Sequence, residues 1–154
     1  MRRFLLSFVA VVHLVLADAV AKELAAGYLR EAGPVSVIPG FFGLAYVENR
    51  GCAWGMLQGH VWPLVAFAVA ALAFLLWKRR DVFGVGRVAA VCEVLLYSGI
   101  VGNLIDRVCR GYVIDFLDFH WADAWHFPCF NLADTFITVA AALLVACSFA
   151  KRTS

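Results

Sequence analysis

The sequence is poor in charged residues: 16% of its 154 residues are Asp, Glu, Lys or Arg, against about a quarter in soluble domains. Its net charge is only +2 and its basic residues stand in small groups, which excludes a nucleic-acid-binding protein. The five cysteines include no Cys-x-x-Cys pair, so neither a zinc knuckle nor a disulfide framework is indicated. They are interpreted as small core residues, with a Cys109–Cys129 disulfide left open.

Apolar residues, in contrast, are abundant and arranged in long blocks. They make up 64% of the chain, and the mean hydropathy is +0.84. This composition is typical of an integral membrane protein in contact with membrane lipids. The length fits a single domain, residues 1–154, with a few membrane spans.

The first span is predicted over about 4–26. Residues 4–17 could be the apolar part of a secretory signal peptide, because Ala17-Asp18-Ala19 resembles a cleavage site. The helix-forming pattern, however, continues without a breaker to Ala26, so one longer helix is favoured. Asp18 and Lys22 then share one face near the far edge of the hydrocarbon, either as a surface ion pair or as part of a site.

Three further spans complete a predicted bundle of four transmembrane helices, at about 61–77, 82–105 and 130–150. Glu93, near the middle of the third, is interpreted as protonated and hydrogen-bonded within the bundle. Most basic residues lie on one side of the membrane: Arg2, Arg3, Lys78, Arg79, Arg80, Arg87, Lys151 and Arg152. By the positive-inside rule both termini are cytoplasmic, and the loops at about 27–60 and 107–129 lie outside.

Polar side chains converge at the outer ends of these helices. Asp134 and Asn131 lie one turn apart at the start of the fourth span, and Asp18 and Lys22 reach the same level. The third span presents a polar stripe at the same depth, formed by Gly99, Asn103, Asp106 and Arg107. Because ionisable groups near hydrocarbon are costly, the convergence predicts a functional site.

The outer loops favour β-structure, with short runs at 35–38, 44–47 and 111–119. In the last run Asp115 and Asp118 are three residues apart and face opposite ways if extended. Apolar neighbours would desolvate Asp115 and raise its pKa. Paired with Asp134, it would hold one shared proton, the requirement for aspartic proteolysis.

Together these residues resemble the ordered motifs of the bacterial lipoprotein signal peptidases, or signal peptidase II. The motifs are Asp18-x-x-x-Lys22, Asn49-Arg-Gly-Cys-Ala-Trp-Gly55, Gly99-x-x-Gly-Asn103-x-x-Asp106-Arg107, Val113-Ile-Asp115-Phe and Phe130-Asn131-x-Ala-Asp134. The resemblance implies an aspartyl endopeptidase of the bacterial inner membrane. It would cleave diacylglyceryl-modified prolipoproteins on the N-terminal side of the lipidated cysteine, near the periplasmic face.

The resemblance also implies roles for individual residues. Asp115 and Asp134 would be the catalytic pair. The supporting and substrate-binding residues would be Asp18, Lys22, Asn49, Gly99, Asn103, Asp106, Arg107 and Asn131. It further implies an extracytoplasmic β-cradle at about 27–55 and a short helix at about 120–127. No cofactor or metal is expected, and the protein is expected to be a monomer.

Two other functions are compatible with membrane acids. A proton-coupled small membrane transporter would need polar groups along the whole depth of the bundle, and the inner half offers little beyond Arg87 and Glu93. A metalloprotease could use His120, Asp123 and His126. Their spacing is not His-Glu-x-x-His, which disfavours this alternative.

Overall fold

The structure, a computed structural model, describes residues 2–52, 56–121 and 125–152. In these ranges the chain forms five helices and a four-stranded sheet. The elements in chain order are α1 (Arg2–Ala32), β1 (Val35–Ile38), β2 (Phe42–Asn49), α2 (Val61–Trp77), α3 (Arg79–Phe83), α4 (Arg87–Arg110), β3 (Val113–Trp121), β4 (Trp125–His126) and α5 (Leu132–Arg152).

Three of the described helices are long and apolar enough to cross a membrane, and they span Phe4–Ala32, Arg87–Arg110 and Leu132–Ala150. Helix α2 is apolar but shorter, at 17 residues, and its bounds match the predicted second span. Large apolar side chains such as Phe67 and Trp77 are about three-quarters exposed on α2. Such surfaces suit lipid rather than water.

Helix α1 is longer than predicted, because Gly27 does not end it. Leu29 and Ala25 are buried against Phe116 of β3, and this burial outweighs the cost of about 1 kcal/mol for a glycine inside a helix. The helix ends before Gly33, whose φ of +79° only glycine adopts readily. The β-structure therefore begins at Val35 rather than near residue 27.

The predicted third span began too early. Residues 79–83 form the separate helix α3, and Gly84 and Gly86, with φ of +73° and +131°, break the chain before α4. Helix α3 also supplies the partner of Glu93. The Glu93 carboxylate accepts hydrogen bonds from the Arg79 Nε and Nη2 atoms. The partner of Glu93 is therefore a residue of α3, and the expectation that Glu93 is hydrogen-bonded within the bundle of spans is wrong.

The sheet joins the two loops that flank the bundle. Its strand order is β1-β2-β3-β4, with antiparallel pairing throughout. The predicted strand runs are confirmed, and β2 from the first loop pairs with β3 from the second. In this register Val47 lies opposite Asp115, and Asn49 lies opposite Val113.

The helix expected at about 120–127 is wrong, and the described residues of this segment form a β-hairpin. His120 pairs with His126, and Trp121 pairs with Trp125, while residues 122–124 lie outside the described ranges. Aromatic residues and histidine are weak helix formers, and a segment of this length gains little helical stability by itself. The neighbouring strand β3 offers ready hydrogen-bond partners, so extended pairing is favoured.

Helix α5 packs mainly on α4, and α4 also packs on α1. All five cysteines lie in the described part of the chain, and none is in a disulfide. The C-terminal ends of α1 and α4 and the N-terminal end of α5 lie beside the sheet, and they enclose the polar residues that the sequence analysis singled out.

Candidate active site

Asp115 is the third residue of β3, where it is 2% exposed. Its carboxylate accepts hydrogen bonds from Asn49 Nδ2 at 2.9 Å and from Asn131 Nδ2 at 2.7 Å. Asp118, three residues further along the strand, has a side chain 17% exposed and contacts His120 and His126 instead. The two acids therefore face opposite sides of the strand, as their spacing predicted.

The environment of Asp115 favours its protonated form. Burial, and then the negative charge of Asp134, raise the pKa of Asp115 to about 7. The hydrogen bonds from Asn49 and Asn131 act in the opposite direction, since they favour the carboxylate. Asp115 can therefore hold a proton near neutral pH, which a solvated aspartic acid does not.

Asp134 lies in the first turn of α5 and is fixed there by the helix cap. Asn131 Oδ1 accepts a hydrogen bond from the Asp134 backbone N–H at 2.9 Å, and Asp134 Oδ2 lies 3.3 Å from the Asn131 backbone N–H. This reciprocal pair is a capping box. Asp134 Oδ1 also accepts from Asn103 Nδ2 at 2.7 Å, which connects the cap to α4.

Asn131 and Asn103 connect the two acids. Asn131 Nδ2, which donates to Asp115, also lies 3.2 Å from Asn103 Oδ1, and Asn103 in turn donates to Asp134. Asn131 is fully buried and Asn103 is 6% exposed. Two rigid amides thus set the positions of carboxylates that come from different segments.

Behind these amides lies a buried ion-pair network. Lys22 Nζ is 2.7 Å from Asp18 Oδ2 and 2.9 Å from Asp106 Oδ2, and it donates to Asn103 Oδ1 at 3.1 Å. Asp18 and Lys22 are each 1% exposed, so the interpretation as a surface ion pair is wrong. Asp18 Oδ1 also accepts from the Ala133 backbone N–H at 2.9 Å, which ties α1 to the start of α5.

Glycines allow α4 to approach α5 at this level. A Cβ on Gly99 would lie 2.4 Å from the Ala133 backbone oxygen and 2.6 Å from Ile137 Cγ1. A Cβ on Gly102 would lie 2.8 Å from Asp18 Oδ2. Because the first contact is with backbone, a side chain at Gly99 would force the helices apart and displace Asp134.

Arg107 connects the end of α4 to the loop that follows β2. Its Nη2 atom donates to the Gly51 backbone oxygen at 3.0 Å. Asn49 Oδ1 holds the same loop by accepting from the Gly51 N–H at 3.0 Å. Residues 53–55 of the predicted loop motif lie outside the described residues.

Asp115 and Asp134 both line a cavity of about 730 Å³. Its polar end also includes Asn49, Asn103 and Arg107, and the rest of its wall is largely apolar and formed by α2, α4 and α5. Two acids at the polar end of an apolar cavity can activate a water molecule against a bound carbonyl group.

Comparison with known proteins identifies the family. A family model described as "Signal peptidase (SPase) II" matches residues 10–150. The chain belongs to this family. A lipoprotein signal peptidase of Symbiobacterium thermophilum is 41% identical over 140 residues, covering 91% of each chain. One of Burkholderia cenocepacia is 46% identical over 120 residues, covering 73% of this chain and 69% of its own.

A solved structure has the same fold as this member of the family. It is described as "Bacterial membrane enzyme structure by the in meso method at 2.3 A resolution". It matches with a TM-score of 0.84 and 31% identity, covering 96% of this chain and 89% of its own. Family membership leaves the transporter alternative without support.

The residues of the metalloprotease alternative are only partly brought together. His120 and His126 stack on each other with ring centroids 5.1 Å apart, but Asp123 lies outside the described ranges. Asp118, which the sequence analysis did not group with them, lies beside both rings. Residues two apart on a strand share one face, and this spacing of Asp118 and His120 is the signal that could have identified Asp118.

Proposed function

We propose that the chain is an aspartic endopeptidase that removes signal peptides from diacylglyceryl-modified prolipoproteins, by cleaving on the N-terminal side of the lipidated cysteine. The observation that supports this most strongly is the placement of Asp115 and Asp134 at the polar end of one cavity, with Asn131 contacting both. The relatives named lipoprotein signal peptidase support the substrate class.

In the proposed mechanism the two acids share one proton. The ionised carboxylate takes a proton from water, while the protonated acid donates to the oxygen of the scissile carbonyl. The resulting tetrahedral intermediate collapses when its nitrogen is protonated and the C–N bond breaks. The new carboxyl group belongs to the signal peptide, and the new amino group belongs to the lipidated cysteine.

The cavity walls supply room for the substrate. Apolar residues of α2 and α5, including Leu64, Phe67 and Val139, line the same cavity as the acids. Such walls suit acyl chains and an apolar signal peptide, which gain free energy by leaving water. Arg107 and Asn49 would contact substrate backbone or hold the loop over it.

We further propose that all four apolar helices span the bacterial inner membrane, that both termini are cytoplasmic, and that the site lies near the periplasmic face. The distribution of lysine and arginine supports this orientation. The 17 residues of α2 extend about 25 Å at 1.5 Å per residue, close to the hydrocarbon thickness. The protein is proposed to act without a cofactor and as a monomer.

The test is cleavage of a synthetic lipidated precursor by purified variants. We expect Asp115→Asn and Asp134→Asn each to lower kcat/KM at least about a hundredfold, the usual size of a general acid–base contribution. Asp81→Asn is the control, because it makes the same chemical change at an exposed acid that pairs only with Lys78 among the described contacts. Full activity in either of the first two variants would refute the catalytic assignment.

The substrate class has its own test. The same precursor is prepared with and without the diacylglyceryl group, and both forms are offered to the unmodified enzyme. We expect faster cleavage of the lipidated form. Equal kcat/KM for the two forms would contradict the proposed role of the apolar cavity wall.

A further inference from the structure

A second group of ligand-type side chains lies on the β3–β4 hairpin, and we call Asp118, His120 and His126 the histidine cluster. Asp118 and His120 are two residues apart on β3, so they share a face. His126 on β4 is paired directly with His120, which brings its side chain to the same face. The register alone therefore gathers two imidazoles and one carboxylate.

The ligand atoms of the cluster converge. His120 Nδ1 is 3.2 Å from Asp118 Oδ2, and His126 Nδ1 is 3.4 Å from Asp118 Oδ1. One ligand atom from each residue lies within 4.8 Å of the other two. In a tetrahedral zinc site with bonds of about 2.0–2.1 Å, neighbouring ligand atoms are about 3.3 Å apart. The two separations from Asp118, 3.2 Å and 3.4 Å, are close to that spacing, and each involves a different oxygen of its carboxylate.

Hydrogen bonding accounts for only part of the arrangement, since His126 Nδ1 lies within hydrogen-bond distance of Asp118 Oδ1, at 3.4 Å. His120 Nδ1 is buried and has no hydrogen bond of acceptable geometry among the described residues, although it lies near Asp118. A buried ring nitrogen without a partner is costly. Coordination to a cation would satisfy it, and two imidazoles with a carboxylate form a ligand set typical of zinc.

The surroundings leave room for an ion and a route to it. Gly43 of β2 is paired with Asp118, and even an added Cβ there would come no closer than 3.7 Å to the cluster. The side chain of His126 is 60% exposed, so the cluster is open to solvent. An entry path and a free coordination position are therefore available.

We propose that the histidine cluster binds one divalent transition-metal ion such as Zn²⁺, which links β4 to β3. The site is separate from the catalytic pair, because Asp118 and Asp115 face opposite sides of the strand. It is close enough to influence substrate, since Phe127 and Phe130, which follow β4, line the main cavity. The ion would act on the hairpin and would not activate the water used for cleavage.

The test is a zinc titration of the purified full-length protein, produced with an affinity tag that contains no histidine. Binding is measured by competition with a chromophoric zinc indicator. We expect one equivalent per chain in the unmodified protein and affinity at least about tenfold weaker in His126→Gln, since loss of a ligand weakens binding at least as much as loss of a supporting residue. His60→Gln, at an exposed histidine outside the cluster, should bind zinc normally.

Further measurements separate this site from the catalytic one. Asp115→Asn should still bind one equivalent of zinc whatever its effect on cleavage, so the proposal stands or falls independently of the protease function. His126→Gln should melt at the same temperature as the unmodified protein without metal, because the strand pairing is made by backbone. Absence of stoichiometric binding in the unmodified protein, or equal affinity in His126→Gln, would overturn the proposal.

Discussion

Two groups of acids lie side by side in this molecule, and they differ in their partners. In the ion-pair network, Asp18 and Asp106 share Lys22, and Asp106 also pairs with Arg110 at 3.1 Å. In the proposed catalytic pair, Asp115 and Asp134 receive direct side-chain hydrogen bonds from amides. The first group faces protein, while the second faces the cavity.

The difference shows how one residue type serves two purposes. A carboxylate that contacts a buried cation holds helices together through the ion pair, and both charges of the pair are already engaged there. A carboxyl group held by neutral donors beside a like charge keeps its proton to higher pH and can exchange it. The network thus fixes the positions of α1, α4 and α5, and the proposed catalytic pair depends on those positions.

The largest expected effect comes from removing the shared cation. Lys22→Met leaves Asp18 without its ion-pair partner, and Asp106 keeps only its pair with Arg110. We therefore expect the free energy of unfolding to fall by about 3–5 kcal/mol. Equilibrium unfolding in detergent measures it. Lys78→Met is the matched control, because Lys78 is 39% exposed and pairs with an exposed acid, and such surface pairs contribute at most about 1 kcal/mol. Similar losses in the two variants would refute the structural role of the network.

A smaller effect is expected from Asp18→Ala, which spares the contact between Lys22 and Asp106. It removes one charge-assisted hydrogen bond to the N-terminus of α5 and one ion-pair partner, and we expect destabilisation of about 2–3 kcal/mol. Turnover per folded molecule should fall much less, because Asp18 does not line the cavity. The melting temperature and kcat of the variant, measured on the same preparation, test both expectations. A variant with unchanged melting and a large fall in kcat would contradict this division.

Much of the architecture follows from local sequence. The apolar block at 61–77 gives α2 its observed bounds, and the β-branched run at 35–38 gives β1. The alternation of a strand places Asp115 and Asp118 on opposite faces. These features depend on neighbouring residues, whose periodicity the sequence displays directly.

Other features depend on distant partners and could not be predicted. Nothing local indicates that β2 pairs with β3, or that Glu93 meets Arg79. The segment at about 120–127, where a helix was expected, instead pairs as a strand with β3. The capping box of Asn131 and Asp134 is different, because an amide three residues before an acid at the start of an apolar run is a readable signal.

The smallest expected effects concern the proton on the catalytic pair. Since the pKa of Asp115 is raised to about 7, the pair retains its shared proton below that pH and loses it above. The kcat/KM for the lipidated precursor should therefore fall as pH rises through about 7. A profile that stays level from pH 6 to pH 9 would show that no such proton is needed.

Asn49→Ala sharpens this prediction, because it removes a donor that stabilises ionised Asp115. Loss of that hydrogen bond raises the pKa of Asp115 further, so the falling limb of the pH profile should move to higher pH by less than about one unit. Gln58→Ala is the control, since it removes an exposed amide of the same loop that makes no described contact with Asp115. A shift to lower pH would mean that Asn49 favours the protonated acid. In that case the contrast between a paired network and a proton-sharing pair would need another explanation.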